Sequence, residues 1–309
     1  MSPHPPDPYS APRMITPLST PSVGPTGRLR FPMEPEAMGA MVRAALEEDA
    51  AFNDVTAIAT VLTERRARAS LVARQSGVVA GVPLAVEAFR LLDARVSIRV
   101  DAEDGTRVRD GDSVLFITGH ARPLLAAERV GLNFLQRLSG IASLTARYVD
   151  AVAGTKARIL DTRKTTPGWR SLEKYAVRAG GGANHRFDLA AAVLIKDNHL
   201  AALDGDVALA VRRARETTPA GTRVEVECDR RQQVEDAVRA GADIVMLDNM
   251  SVVELRECVS FIAARAIVEA SGGVSLSTVR EIAGTGVDWI SVGALTHSAP
   301  AMDLALDFE

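Results

Sequence analysis

Between Lys156 and His199 the chain packs nine Lys/Arg residues against four carboxylates, although its formal net charge is -3. The segment reads KARILDTRKTTPGWRSLEKYAVRAGGGANHRFDLAAAVLIKDNH, and its cations stand beside glycines, turn residues and the ends of short apolar runs. Side chains placed in this way meet a ligand, and cations gathered there call for an anionic one. Arg163, Lys164, Arg186 and Lys196, with His185 beside them, are best placed to converge. Burying so many like charges without an anion is costly, so the expected substrate is small and multiply negative. Lys156, Arg158, Arg170 and Arg178 read instead as surface or ion-paired charge, with Asp161, Glu173, Asp188 and Asp197 as nearby acids. Gly180-Gly181-Gly182 reads either as a mobile loop near the ligand or as a helix terminus.

Such groups need a scaffold. From Thr155 onward apolar strands (157–160, 192–195, 223–227, 243–247, 266–270 and 289–292) alternate with helical segments (171–179, 206–216, 232–239, 252–263 and 275–283). Repeated β-then-α units with near-continuous apolar strands predict a parallel sheet covered by helices. The strands are too few for a full barrel, so the expectation is an α/β fold with an open or incomplete (β/α) barrel. An open doubly wound sheet is the fallback. Each strand delivers a polar or glycine group at its carboxyl end, the face that carries sites in both architectures. These groups are Asp161-Thr162-Arg163-Lys164, Lys196, Glu227, Asp248, Ser271-Gly272-Gly273 and Gly293-Ala294. Ser271-Gly272-Gly273, with Ser275 as the N-cap of a following helix, and Gly293-Ala294-Leu295-Thr296-His297 predict a phosphate cradle. Glu227 and Asp248 suit Mg²⁺ held partly through water; simple pairing with nearby cations is the alternative. Glu225 lies further from the strand end and is the weaker ligand.

Upstream, residues 31–140 predict a smaller N-terminal α+β domain. It comprises a helix at 36–49, a loop at Asn53-Asp54-Val55-Thr56 and strands at 67–74, 96–100 and 114–118. A long helix runs from Pro123, at its first position, to about Val152. The catalytic barrel is expected at 141–298, a C-terminal segment at 299–309, and a disordered Pro-rich tail at 1–30. Lys plus Arg (36) nearly balance Asp plus Glu (39), which argues against general nucleic-acid binding. Two cysteines make neither a disulfide framework nor a zinc site. No apolar run approaches a membrane span and no secretory signal is legible, so the expected location is cytoplasmic.

DTRKTTPGWRSLEKYAVRAGGGANHR, LIKDNH, VEVE, MLDN, EASGG and SVGALTH, in this order and at these spacings, resemble the quinolinate phosphoribosyltransferase family of type II phosphoribosyltransferases. The resemblance runs from about Ala37 to the C-terminus and includes AERVGLNFLQRLSGIAS. It implies a homodimer of two-domain subunits with an open α/β barrel. It also implies a pentosyltransferase of NAD biosynthesis that converts quinolinate and phosphoribosyl pyrophosphate, with Mg²⁺, to nicotinate mononucleotide, pyrophosphate and carbon dioxide. Carried over residue by residue, the quinolinate carboxylates would meet Arg163, His185, Arg186, Lys196 and the partner subunit's Arg129. From spacing alone, Arg129 reads only as a solvated helix residue. Lys164 would serve the phosphoribosyl pyrophosphate side, with Thr162 shaping the loop, and Glu227 and Asp248 would hold Mg²⁺ and ribose hydroxyls. Lys164, Glu227 and Asp248 are thus the implied catalytic groups. Ser271, Gly272, Gly273, Val292, Gly293, Ala294 and His297 would hold the 5′-phosphate. Trp169 and Cys228 depart from the expected pattern without removing a charged residue. The rivals are a ModD-like sister transferase with altered dicarboxylate-binding cations, a barrel aldolase using Lys164 or Lys196 as a Schiff base, and a non-enzymatic anion-binding protein.

Overall fold

A computed structural model describes residues 29–309, so nearly all of the expected tail at 1–30 lies outside the described residues. The chain forms two compact units. Of the described residues, the first takes those from 29 to 147, with Lys164–Gly182 and Ala294–Glu309; the second takes Tyr148–Arg163 and Ala183–Gly293.

The first unit begins with α1 (Pro35–Glu48) and α2 (Val55–Thr60). Part of the loop expected at 53–56 is therefore helix, because the Asp54 carboxylate accepts the Thr56 and Ala57 N–H groups at 3.0 Å and caps a short turn. There follow β1 (Arg66–Ala73), β2 (Gly77–Val78), α3 (Val82–Leu92), β3 (Ser97–Val100), β4 (Arg107–Val108) and β5 (Ser113–His120). The long helix α4 (Ala121–Ala151) then starts two residues before Pro123, not at it. A four-stranded antiparallel sheet has the order β12-β1-β5-β3, where β12 is Leu304–Phe308, a strand absent from the sequence reading. It pairs with β1 from Ala69↔Phe308 to Ala73↔Leu304. The route to that edge is fixed by α4: the Gln136 carbonyl accepts Met302 N–H at 3.0 Å, and its side chain donates to Leu304 O at 2.8 Å. Leu71, Phe89, Leu115, Ile117, Leu124 and Leu135 fill the core between this sheet and its helices.

The second unit contains β6 (Arg158–Leu160), β7 (Val193–Ile195), β8 (Val224–Cys228), β9 (Ile244–Asp248), β10 (Ile267–Ser271) and β11 (Trp289–Ser291). All pairings are parallel, in the order β6-β11-β10-β9-β8-β7. β6 and β7 are both edges, so the barrel is open, as the strand count predicts. Besides the short α6 (Asp197–Ala201), the connections carry α7 (Val207–Thr217), α8 (Arg231–Arg239), α9 (Val252–Ile262) and α10 (Val279–Ala283). Strand pleating sends alternate side chains to opposite faces. Val224, Val226, Val245, Leu247, Val268 and Ala270 share the fully apolar face, each buried Val or Leu contributing about 1.5–3 kcal/mol. The opposite face is graded. Leu160, Ile244 and Trp289 form an apolar plug, while Glu225, Glu227, Glu269, Asp248, Ser271 and Ser291 provide polar groups.

The helix expected at 275–283 is shorter than its pattern suggests. It starts at Val279, because the hydroxyls of Ser275, Ser277 and Thr278 bond one another and the Ser275 carbonyl accepts Thr278 and Val279 N–H groups in a turn. Ser275 is therefore no N-cap, and no helix dipole stands directly behind Ser271-Gly272-Gly273. In the first unit, α5 (Arg170–Ala179) ends at Gly180, where an added Cβ would lie 2.3 Å from Ala142 O of α4. The triple glycine is thus a helix terminus packed closely on another helix. Among the described residues, no helix is long and apolar enough to cross a membrane.

Candidate active site

The end of β6 organises the cationic segment. Asp161 is fully buried, and its carboxylate accepts His185 N–H at 2.9 Å and the Asn184 amide at 2.5 Å. Ala183 forms an isolated parallel bridge with Leu160, so the Asn184-His185-Arg186 run lies alongside β6. Asp161 is thus a scaffold for this run. Thr162 and Arg163 follow it, half-buried, while Arg186 is buried and donates to Ala192 O at 3.0 Å. Burial and the neighbouring Arg163 charge push the Arg186 guanidinium below its ordinary value. Two cations that disfavour each other in a partly dry site mark a place for a multiply charged anion.

At the next strand ends, Lys196 pairs with Glu227 at 2.6 Å. Asp248, just beyond Leu247 on the adjacent strand, accepts the Asn249 amide at 2.8 Å. Ser271 lies in register with Asp248, and Gly272 follows with φ +87. A Cβ on Gly272 would meet Asn249 Oδ1 at 2.3 Å, so only glycine allows these two turns to approach so closely. Val292 continues from β11 through its N–H to Leu160 O at 2.9 Å, and Gly293 ends the second unit.

The remaining expected residues belong to the first unit. Lys164 is exposed, and its carbonyl accepts the Thr296 hydroxyl at 2.7 Å. Ala294 and His297 lie on α11 (Ala294–His297), with His297 Nδ1 2.6 Å from Ser298 Oγ. One ion pair that the sequence reading missed holds this region. Arg137 of α4 pairs with fully buried Glu173 at 2.8 Å and donates to the carbonyls of Thr296 and Ala299. Glu173 also accepts the Thr166 N–H and hydroxyl at 3.1 and 2.9 Å. Trp169 stacks on Phe134 with ring centroids 5.4 Å apart, which accommodates that departure from the expected pattern. Arg129 lies on α4 with a 58% exposed side chain, 3.9 Å from its neighbour Glu128.

A second cluster lies beneath the strand ends, joining His185 and Glu225, both named from the sequence, to Glu269, which was not. His185 Nε2 is 3.2 Å from Glu225 Oε2 and 3.5 Å from Glu269 Oε2, and all three residues are buried. Burial alone would push the His185 pKa down, but the Glu269 charge and hydrogen bonding to Glu225 raise it to about 10. Opposing a second ring proton, His185 Nδ1 accepts the Arg186 backbone N–H at 2.8 Å. The two observations pull in opposite directions: an accepting Nδ1 calls for a neutral ring with its proton on Nε2, whereas the two carboxylates favour the doubly protonated ring. Burial and the Glu269 charge push Glu225 up to about 7. The available signal was an acidic residue inside each of two apolar strands, VEVE and VEAS.

An open parallel βα sheet ending in cations, two carboxylates and close glycine turns defines an α/β enzyme fold for anionic, phosphate-bearing substrates. Sequence comparison agrees. Residues 54–139 match the quinolinate phosphoribosyl transferase N-terminal domain, and residues 141–307 match the C-terminal domain. The chain belongs to the quinolinate phosphoribosyltransferase family. It is 45% identical over 274 residues to the nicotinate-nucleotide pyrophosphorylase (carboxylating) of Mycobacterium leprae, covering 86% of this chain and 95% of that one. With the probable enzyme of the same name from Bacillus subtilis (strain 168) it shares 42% over 260 residues, covering 84% and 89%. The crystal structure of NadC from Streptococcus pyogenes superposes with a TM-score of 0.85 at 42% identity, covering 90% of this chain and 98% of that one.

Proposed function

We propose that this chain transfers the phosphoribosyl group of phosphoribosyl pyrophosphate to the ring nitrogen of quinolinate, giving nicotinate mononucleotide, pyrophosphate and carbon dioxide. The relatives named as carboxylating nicotinate-nucleotide pyrophosphorylases support the reaction. The observation that carries the substrate is buried Arg186, beside half-buried Arg163 and pushed below its ordinary value by burial and by that neighbouring charge, a load that a dicarboxylate relieves and a neutral ring does not. Lys196 adds a third cation at an adjacent strand end. Its pairing with Glu227 keeps its nitrogen from serving as a free amine nucleophile, which disfavours the aldolase reading.

Glu227 and Asp248 fit Mg²⁺ by their chemistry. Both are half-buried, oxygen-only donors at neighbouring strand ends, and Lys196 and Asn249 engage one oxygen of each. A bound ion would use the other oxygens and supply charge neutralisation for pyrophosphate. The protein itself acts by orientation. Arg163 and Arg186 grip the carboxylates and aim the pyridine nitrogen at the anomeric carbon, while Ser271-Gly272-Gly273 and Gly293 present backbone N–H groups to the 5′-phosphate. The nitrogen forms its bond as the C–O bond to pyrophosphate breaks. The quaternised nitrogen then stabilises the electron pair left on the adjacent ring carbon when its carboxylate departs as carbon dioxide, and a proton from solvent takes the carboxylate's place on that carbon. No nucleophilic side chain takes part. Buried Cys228 and Cys258, whose thiols burial pushes up, offer none and fit a reducing cytoplasm.

The same reading makes the protein a homodimer in which the partner subunit's Arg129 completes the dicarboxylate pocket. The exposure of Arg129 supports this. Quinolinate or its lookalike phthalate is expected to raise the melting temperature of the wild type by binding the native state, and not that of Arg163→Ala. Equal shifts in both proteins, or none in the wild type at saturation, contradict the assignment. Mixing inactive Arg129→Ala with inactive Arg163→Ala subunits is expected to restore part of the activity; no recovery after subunit exchange rules out a shared site.

A further inference from the structure

Glu269 lies in the middle of β10, in register with Met246 on one side and Trp289 on the other, and is fully buried. A carboxylate at such a position costs stability unless its oxygens are engaged. One oxygen, Oε1, accepts the buried Ser291 hydroxyl from β11. The other, Oε2, faces His185 Nε2 at 3.5 Å, opposite Glu225 Oε2 at 3.2 Å.

The ligand atoms of His185, Glu225 and Glu269 all lie within 4.8 Å of one another, which would admit a metal ion. The far side of the ring decides against one. A metal-bound imidazole keeps a proton on its other nitrogen and donates it, whereas His185 Nδ1 accepts the Arg186 N–H. The proton is therefore on Nε2, pointing into the two carboxylates. The order is a hydrogen bond from the Ser291 hydroxyl to Glu269, an electrostatic contact at 3.5 Å without hydrogen-bond alignment between Glu269 and the His185 ring, and a hydrogen bond from the Arg186 backbone N–H to Nδ1.

We propose that Glu269, oriented by Ser291, is a positioning residue. It holds His185 in the Nε2–H tautomer and so fixes the backbone of Arg186, the cation assigned to the substrate dicarboxylate. Glu269 need not touch the substrate. Its effect falls chiefly on the quinolinate side, because the side-chain contacts of Glu269 lead to His185 and Arg186, while only the strand backbones of β10 and β11 continue to the phosphate turns. The kinetic part of this inference rests on the proposed transferase reaction; the tautomer does not.

Two readouts test it. In the first, Glu269→Leu is expected to raise KM for quinolinate about tenfold while KM for phosphoribosyl pyrophosphate stays within about twofold, with Glu269→Gln recovering most of the loss. A folded Leu variant with both constants unchanged, or both shifted alike, overturns the proposal. Should the Leu variant fail to fold, Ser291→Ala decides: a rise of about threefold in KM for quinolinate alone supports the role, and no change refutes it. In the second, nitrogen-15 shifts of the wild-type imidazoles are assigned through the resonance lost in His185→Gln. A protonated Nε2 with a bare Nδ1 is expected, and the reverse tautomer, or an Nε2 that has lost its proton to a bound metal, overturns the inference. This second result stands whether or not quinolinate is turned over, so failure of the reaction and failure of the positioning role are distinguishable.

Discussion

The antiparallel sheet of the first unit and the parallel sheet of the second treat charge in opposite ways. In the antiparallel sheet, ionised groups sit at the rim and pair locally. Arg99 meets Asp101 at 2.6 Å and Arg74 meets Asp307, while Leu71, Leu115 and Ile117 beneath them are wholly apolar. In the parallel sheet, Glu225 and Glu269 occupy core positions, in phase with Glu227 and Ser271 at the strand ends. A buried carboxylate adds little to stability that a leucine would not supply better. Charge in phase with a core therefore marks chemistry, and charge at a rim marks solvation.

Glu173 strains that contrast, because it is a fully buried charge in the unit with the conventional sheet. Its contacts are to Arg137 and Thr166, so its role is scaffolding. Glu173→Ala is expected to cost about 3 kcal/mol in urea unfolding by leaving Arg137 without its carboxylate. A cost near zero would mean that the buried pair holds nothing. Arg163→Ala should do the reverse, leaving the urea midpoint unchanged and lowering kcat/KM for quinolinate by about ten- to a hundredfold, as expected for a lost charge-assisted contact. An unstable variant with normal kinetics would move Arg163 to the scaffolding class. Arg74→Ala, at the rim of the antiparallel sheet, should change stability by less than about 1 kcal/mol and leave kinetics untouched.

The smallest effect concerns pH. His120 Nδ1 lies 2.8 Å from Asp93, and this hydrogen bond holds the Asp93 carboxyl below its usual range. A depressed carboxylate contributes stability that is complete above its unfolded value and disappears as pH falls through its folded value. Asp93→Asn should therefore melt slightly lower than wild type at neutral pH, with the gap closing below about pH 4. A gap that widens in acid would contradict the pairing.

The parallel strands were legible because each is a short continuous apolar run between turn residues. The cations and carboxylates at their ends were legible because strand ends are where such folds place ligands. β12 was not, since LALDF becomes a strand only by pairing with β1, far away in sequence. The helix expected from Ser275 was overextended because hydroxyl side chains compete for the backbone there. Within the site, Glu269, Ser291 and the Arg137–Glu173 pair lie inside strands and helices and not past the strand ends, where ligand groups of such folds are legible. A charged residue in the buried phase of an apolar strand was the signal for Glu269. Nothing in the helical pattern singled out Arg137, whose partner lies across the fold on α5.

In the proposed reaction the carboxyl ends of the parallel sheet bind a dicarboxylate and couple its decarboxylation to phosphoribosyl transfer. The direct measurement is release of labelled carbon dioxide from quinolinate carrying the label in the carboxyl next to the ring nitrogen. With Mg²⁺ present, release is expected only when phosphoribosyl pyrophosphate is added, in step with nicotinate mononucleotide formation. Release without the phosphoribosyl donor, or no release while nicotinate is converted in its place, would contradict the account.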